Sequence, residues 1–366
     1  MKSQEVIQHN ESSPEFQATK SSDIPQIIDL LQGFDYPFGE DHYRWKYLQC
    51  PWDSVSIVSK IETDVIAHQG FIIRPFLINN QQILLGLSGD SLVRADRRRK
   101  GLFSQLYEVA RQSASDKDVQ HTWGFPNKYT LPYALKTNTK IIGWLPLYLK
   151  ILHTKPVIQR LSKSSVLPHL SGVLSLFFRS RSVTPPKTIK VKEVTSYPDS
   201  LDLLWDRVLA DPRRQFQNIG LRTKKYLEWR FRSCPDREYR FIVANDQEGE
   251  LRGYIVLREL DIDNLRVGAI MDIFHAPFDQ ETSTALISYA HEYFIKTDVD
   301  MIGCVLSDTP TCIPKTLRKH GFHRFIKRFN PRPWIAAIRP YPDSPVTPSL
   351  TDSRQWYITW AENDVF

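Results

Sequence analysis

The sequence predicts a mixed α/β protein of two similar domains in tandem, each a mostly antiparallel sheet flanked by helices. Three observations carry this. First, 366 residues, 41% of them hydrophobic and 12% aromatic, are enough to bury more than one core. Second, β-rich runs fill residues 54–93, and the apolar period turns helical from Leu102. Third, "RWKYLQCPWDSVSIVSK" at 44–60 lines up with "EWRFRSCPDREYRFIVAND" at 228–246. The alignment matches Trp45 with Trp229, Cys50 with Cys234 and Pro51 with Pro235, and a strand follows each. A period this long is not that of a solenoid and means a duplicated domain.

Taken in order, residues 1–20 are polar and are expected to be mobile. "SSDIPQIIDLLQG" at 21–33 reads as a helix, with Ser22 as N-cap, Ile27, Ile28 and Leu31 on one face and Gly33 as the stop. "SVSIVSK" and "DVIAHQGFIIRPFLINNQQILLGLSGDSLV", broken at "TD" and "NN", read as a three-stranded antiparallel meander ending at Val93. A helix follows with Leu102, Leu106, Val109 and Ala110 on one face. Then come a strand at "HTWGF", a loop and short helix in "PNKYTLPYALK", and a strand in "IIGWLPLYLKIL". The second copy begins near 190. It repeats the order through "RGYIVLREL", "RVGAIMDIF", a helix at 280–295, "DMIGCVL" and "LRKHGFHRF". The expected boundaries are a first domain at 21–155, a basic linker at 156–190 and a second domain at 191–366.

The formal net charge is +7, and it is uneven. Between Asp118 and Glu193 there is no acid at all, while 12 Lys and Arg side chains fall there. Such a field favours anionic partners: a phosphorylated cofactor, a lipid surface or nucleic acid. No run of eighteen uncharged apolar residues occurs and the N-terminus lacks an apolar signal segment, so the expectation is a cytoplasmic protein. The four cysteines, Cys50, Cys234, Cys304 and Cys312, have neither C-x-x-C nor Cys/His zinc spacing. They read as reduced thiols, with no metal site expected.

The most informative stretch is "VRADRRRKGLFSQLYEVARQ" at 93–112. A strand end, a short loop and a helix opening at Gly101 leave unpaired N–H groups at the positive end of a helix dipole. That is a phosphate cradle. Gly101 admits a close approach, and Arg97, Arg98, Arg99 and Lys100 add charge-assisted donors suited to a pyrophosphate. Neither G-x-x-x-x-G-K-[ST] nor G-x-G-x-x-G is present.

These residues resemble the GNAT-type N-acetyltransferase superfamily, whose acetyl-CoA loop reads Q/R-x-x-G-x-G/A between strand and helix. Here Arg98-Arg99-Lys100-Gly101-Leu102-Phe103 matches the first two fixed positions, and Phe103 stands where a small residue is usual. "RRKGLF", "GFPN" at 124–127, "YRWKYLQCP" and the tail "WYITWAENDVF" together resemble a tandem-domain subgroup. The resemblance implies acetyl-CoA, or another acyl-CoA, bound by the first domain, with N- or O-acyl transfer to an unidentified small-molecule or sugar acceptor. It also implies that pantetheine amides pair with the strand edge at Leu92 and Val93. The second copy, with "FDQETSTALISYAHEYF" after its strand, has acids where a phosphate needs cations, so it is expected not to bind CoA.

Acyl transfer from a thioester needs a base, an oxyanion donor and an acid for the thiolate. Tyr133 is the candidate acid, the alternative being a packed aromatic. Asp90, at a bulge in "SGD", is the candidate base, the alternative being a turn residue. Asn127 either holds a pantetheine amide or caps the "PN" turn. Glu40, Asp41 and His42 either line the acceptor side or form a solvated loop. Trp45, Tyr47, Trp144 and Trp229 either stack on a sugar or pack in cores. Two other functions compete: a Fem-type aminoacyltransferase using aminoacyl-tRNA, and a non-catalytic module binding anionic lipid or nucleic acid. Residues 156–183 hold a helix candidate at Leu170–Phe178, which either packs on a domain or gives peripheral contact with an anionic membrane.

Overall fold

The structure is a computed structural model that describes residues 13–33, 38–161, 183–325 and 334–363. The linker helix candidate at Leu170–Phe178 lies outside them. Within residues 1–20, strand β1 (Glu15–Ala18) is not a loose end, since it pairs antiparallel with β2 (Ser54–Ile61). Helix α1 (Ile24–Leu31) begins at Ile24, with Asp23 rather than Ser22 at its N-cap position. Asp23 is held by the Lys20 amide at 3.0 Å and by the Lys60 ammonium at 2.5 Å. Its carboxylate makes no cap hydrogen bond to α1 and instead ties the turn before the helix to β2.

Helix α2 (Glu40–Tyr47) was not foreseen. It lacks a single apolar stripe because both its faces are buried: Tyr43, Lys46 and Tyr47 on one, His42 and Trp45 on the other. Glu40 and Asp41 in its first turn and Arg44 and Lys46 in its last suit the helix dipole.

The meander then runs through β3 (Asp64–Ile78) and β4 (Gln81–Val93). Asn79 and Asn80 turn between them with φ 50° and 65°. This is the two-residue turn with both φ positive that matches strand twist. Helix α3 (Leu102–Ser115), β5 (Val119–Gly124), α4 (Leu131–Lys136), β6 (Lys140–Leu145), β7 (Leu147–Ile151) and α5 (Thr154–Leu161) complete the first half.

The second half repeats the plan with β8 (Lys190–Val194), α6 (Ser200–Ala210), β9 (Asn218–Gly220), α7 (Lys224–Leu227), a π-helical turn at Glu228–Arg232 and β10 (Arg240–Asn245). Strands β11 (Leu251–Ile262) and β12 (Leu265–His275) follow, then α8 (Gln280–Lys296), β13 (Met301–Val305), α9 (Ile313–Lys319) and β14 (His323–Arg324). The chain closes with β15 (Trp334–Pro340), α10 (Pro348–Thr351) and β16 (Trp356–Tyr357). Asp263 and Asn264 turn between β11 and β12 with φ 52° and 66°, the counterpart of Asn79 and Asn80.

The two sheets do not follow the halves of the chain. The first runs β1-β2-β3-β4-β5-β15-β6 and the second β14-β7-β13-β12-β11-β10-β8. Strand β15, from the second half, lies between β5 and β6, while β7, from the first, lies between β13 and β14. "IIGWLPLYLKIL" is therefore two strands in different sheets, parted at Pro146, which has no N–H to continue the ladder. One hydrophobic cluster spans both halves, from Ile24 to Trp360.

The seam between the halves is nearly two-fold. Trp45 and Trp229, 184 residues apart, stack at 5.0 Å with an 18° interplanar angle. Each indole donates to the other's carbonyl, at 2.8 and 3.3 Å. Trp45, Tyr47 and Trp229 are thus core residues, while Trp144 is 37% exposed.

Three histidines, His42 and His121 buried and His291 half-buried, carry a pH prediction. Burial, chiefly, lowers the pKa of His42, His121 and His291 from 6.5 to about 4. Lys46 and Arg237 add to this for His42, Arg111 for His121 and Lys150 for His291. The unfolded chain takes up these protons near pH 6.5, whereas the fold resists them until about pH 4. The contribution of these three histidines to stability is therefore flat above pH 7 and falls steadily from 6.5 to 4. Urea midpoints at pH 7.5 and 5.0 test this, and equal midpoints contradict it.

Candidate functional site

The first half contains a splayed pair of parallel strands. Strand β4 pairs with β5 from Leu84 to Leu87, and beyond Leu87–Trp123 the pairing stops. On its other side β4 stays paired with β3, through a bulge between His68–Leu92 and Gly70–Gly89. The bulge places Asp90 at φ 49° and Ser91 beside it. Gln69, opposite, accepts from the Ser91 hydroxyl at 2.5 Å and donates to the Gly70 carbonyl at 2.8 Å. Leu92 and Val93 thus keep one edge in the sheet, paired with His68 and Ala67, and turn the other toward the splay.

The chain then makes a 3-10 turn at Ala95–Arg97 and enters α3 with Gly101 as N-cap at φ 80°. Within α3 the first amides to reach a carbonyl are those of Ser104 and Gln105, both onto Gly101. The amides of Leu102 and Phe103 have no intrahelical carbonyl to reach. A Cβ built on Gly101 meets nothing within 4 Å, so the space in front of the helix is open. Arg98, Arg99, Lys100 and Gly101 are exposed around it, and Arg99 takes φ 64°. Arg98 also ties the loop to the strand, its Nε donating to the Val93 carbonyl at 2.9 Å.

Asp90 is not a bare turn residue. Its Oδ2 accepts from Lys46 Nζ and from the Tyr47 hydroxyl, both at 2.7 Å, and its carbonyl lies 2.8 Å from His68 Nδ1. His68 Nε2 reaches the Ser56 hydroxyl at 2.9 Å, and Ser56 in turn meets Tyr43 and Thr19. Burial lowers the His68 pKa, so the ring is neutral near pH 7. No local pattern announces this network, because its members come from α2, β2, β3 and the bulge. Gly70 makes room for it: a Cβ there would fall 2.2 Å from the Tyr47 hydroxyl, so glycine is needed for that ring to reach Asp90.

Tyr133 packs against Phe103 and Tyr107 at 5.0 and 5.3 Å. Its hydroxyl donates to Glu108 and accepts from Arg339 Nη1 at 3.3 Å, Arg339 being on the exchanged strand β15. Burial and the Glu108 carboxylate raise its pKa. Asn127 Oδ1 accepts from the amides of Tyr129 and Thr130 at 2.9 and 3.1 Å, which makes it the cap of the turn before α4. Glu40, Asp41 and His42 lie on α2 rather than in a loop: Glu40 and Asp41 are exposed, Glu40 is paired with Arg44, and His42 is buried.

The matching place in the second half is closed. Parallel pairing of β12 with β13 ends at Ile270–Cys304, and the C-terminal segment fills the opening beyond it. Ser307 donates its amide to the Ile358 carbonyl at 2.9 Å, Leu306 bridges Thr359, and Trp360 lies 2.8 Å from where a Gly303 Cβ would be. At the N-terminus of α8 the Asp279 carboxylate takes the Thr282 amide at 3.0 Å, so the protein supplies its own anion there.

A bulged strand beside a parallel one, joined by a strand-loop-helix passage and built twice, decides the fold. The fold is a pair of GNAT-like domains in tandem. No family profile and no curated relative matches the sequence. Among solved structures, the chain is similar to N-myristoyltransferase of Saccharomyces cerevisiae with bound myristoyl-CoA. The TM-score is 0.60 at 14% identity, covering 95% of this chain and 90% of that one. It is also similar to a protein of unknown function from Enterococcus faecalis, titled a probable N-acyltransferase, and to a GCN5-related N-acetyltransferase from Anabaena variabilis. Each of these gives a TM-score of 0.60 at 11% identity, covering 89% of this chain and 72% of the other. At these identities the likeness is one of fold. Among the described residues, no helix is long and apolar enough to cross a membrane.

Proposed function

We propose that the first half binds an acyl-CoA, with acetyl-CoA as the first donor to test, and transfers the acyl group to an amine or hydroxyl of a small-molecule or sugar acceptor. The observation that carries this reading is the open splay between β4 and β5 leading directly into the cradle at Gly101. The pantetheine arm would lie along Leu92 and Val93. The pyrophosphate would sit on the amides from Gly101 to Phe103, beside Arg98, Arg99 and Lys100. The second half, filled by its own C-terminal segment, serves as support and lends Arg339 to the first sheet.

For the chemical step, Asp90 is the candidate base, held on the bulge by Lys46 and Tyr47. An acceptor that displaced one of these donors would find the carboxylate fixed in place. Tyr133 is the candidate acid, and Glu108 holds its proton at the start of the reaction. Burial and the Glu108 carboxylate keep its phenol protonated at neutral pH, so the proton is present for the leaving thiolate.

Charge reversal of Arg98 and Arg99 to Glu tests the cradle. It is expected to raise the Kd for acetyl-CoA at least 10-fold at low salt, with the far-UV spectrum unchanged. Arg99→Glu alone, which leaves the Arg98 tie to Val93 intact, is expected to show part of the effect. An unchanged Kd in the double variant contradicts the proposed cradle.

A further inference from the structure

Across the seam, His42 on α2 meets two residues of the loop that follows the π-helical turn, Cys234 and Asp236. His42 Nδ1 lies 2.6 Å from Asp236 Oδ1, and Cys234 Sγ lies 3.8 Å from that oxygen and 4.0 Å from the same nitrogen. These three atoms are nitrogen, sulfur and oxygen donors on one small triangle. The His42 side chain is fully buried and that of Asp236 is 42% exposed, so the triangle opens to solvent along one edge.

We propose that His42, Cys234 and Asp236 form a transition-metal site of the zinc class, with water as fourth ligand. Tetrahedral zinc with ordinary bond lengths sets its nitrogen, oxygen and sulfur ligands about 3.4 to 3.6 Å apart. Two edges of the triangle already lie within about half an ångström of that. The third, between His42 and Asp236, opens by less than 1 Å when the metal replaces the shared proton, and Asp236 stands on the exposed side. Soft sulfur with imidazole and one carboxylate is a donor set that favours zinc over magnesium or calcium.

Binding releases the Cys234 thiol proton to solvent, while the His42 ring proton moves from Nδ1 to Nε2. His42 Nε2 is buried with no hydrogen-bond partner among the described residues, so the proton displaces no bond there, and the Nδ1–Asp236 hydrogen bond is exchanged for two metal bonds. The neighbouring cations Lys46 and Arg237 oppose a dication, and the thiolate and carboxylate together offset them. His42 lies 192 residues before Cys234, which is two residues from Asp236, so no spacing motif announces the three together. The metal would pin α2 to the second half, four residues before the lysine that holds Asp90. This proposal stands whether or not the first half binds a thioester.

Cobalt(II) is the probe, added to the chelator-treated full chain. The expected result is one equivalent bound, with a near-ultraviolet thiolate charge-transfer band and the visible bands of a tetrahedral centre, all bleached by zinc. Saturating zinc is expected to raise the melting temperature by about 4 °C. Cys234→Ser is expected to lose the charge-transfer band, and Asp236→Asn, at an exposed position, to weaken binding at least 10-fold. The proposal fails if the wild-type chain develops no charge-transfer band, or if folded Cys234→Ser keeps it in full. Should Cys234→Ser not fold, undiminished binding by Asp236→Asn overturns the site on its own.

Discussion

Arg222→Met is expected to lower the unfolding free energy by about 3–5 kcal/mol, a large share of what a folded chain has in reserve. Arg222 is fully buried and faces two carboxylates, Asp272 and Glu362, that are equally buried. Its Nη2 lies 3.0 Å from Glu362 Oε2 and 3.4 Å from Asp272 Oδ1, and its Nη1 donates to the Gly220 carbonyl at 2.8 Å. The Tyr254 and Thr359 hydroxyls donate to Asp272, both at 2.8 Å. Burial alone would lower the Arg222 pKa, but the two carboxylates raise it well above its ordinary value. Removing the cation leaves two buried anions without their countercharge, and both their desolvation and their mutual repulsion then oppose folding. The loss also frees Glu362, and with it the C-terminal segment that fills the second opening. A urea titration measures the effect, and a shift below about 1 kcal/mol contradicts it. Replacing Arg222, Asp272 and Glu362 together with apolar residues is expected to recover most of the loss, because no buried charge then lacks a partner.

Gly101→Val is expected to remove acetyl-CoA binding, with Kd rising about 100-fold or more, the equivalent of losing one or two charge-assisted hydrogen bonds. At φ 80° a β-branched residue is strained by about 1–3 kcal/mol, so this variant also loses some stability. The open space in front of the helix means that the new side chain clashes with no protein atom and stands instead where the phosphates would lie. Gly101→Asn separates the two effects, since asparagine takes the left-handed conformation at low cost while still filling the space. It is expected to keep the stability and lose the binding.

Much of this fold was legible in sequence because its signals are local. The break at Asn79–Asn80, the switch of period at Leu102 and the match of Trp45 with Trp229 each report on a few neighbouring residues. What stayed hidden depends on distant partners. The exchange of β7 and β15 alters no local pattern, since either strand is equally apolar in its own sheet or the other. Helix α2 was missed because a helix buried on two faces shows no amphipathic period. Asp90 and Gly101 were singled out as candidates, but the support for Asp90 from Lys46, Tyr47 and His68 is a product of tertiary packing. The C-terminal segment was read only as a tail. Its place in the second opening rests on a long-range contact, the bridge from Leu306 to Thr359, that no local pattern announces.

The central claim is that one half of this chain offers an open thioester site and the other half is filled by its own residues. Calorimetric titration of acetyl-CoA into the full chain, run beside Gly101→Asn, tests it most directly. The account predicts one molecule bound per wild-type chain and no measurable heat of binding for the variant. Two molecules per chain, or equal binding by the variant, would contradict it.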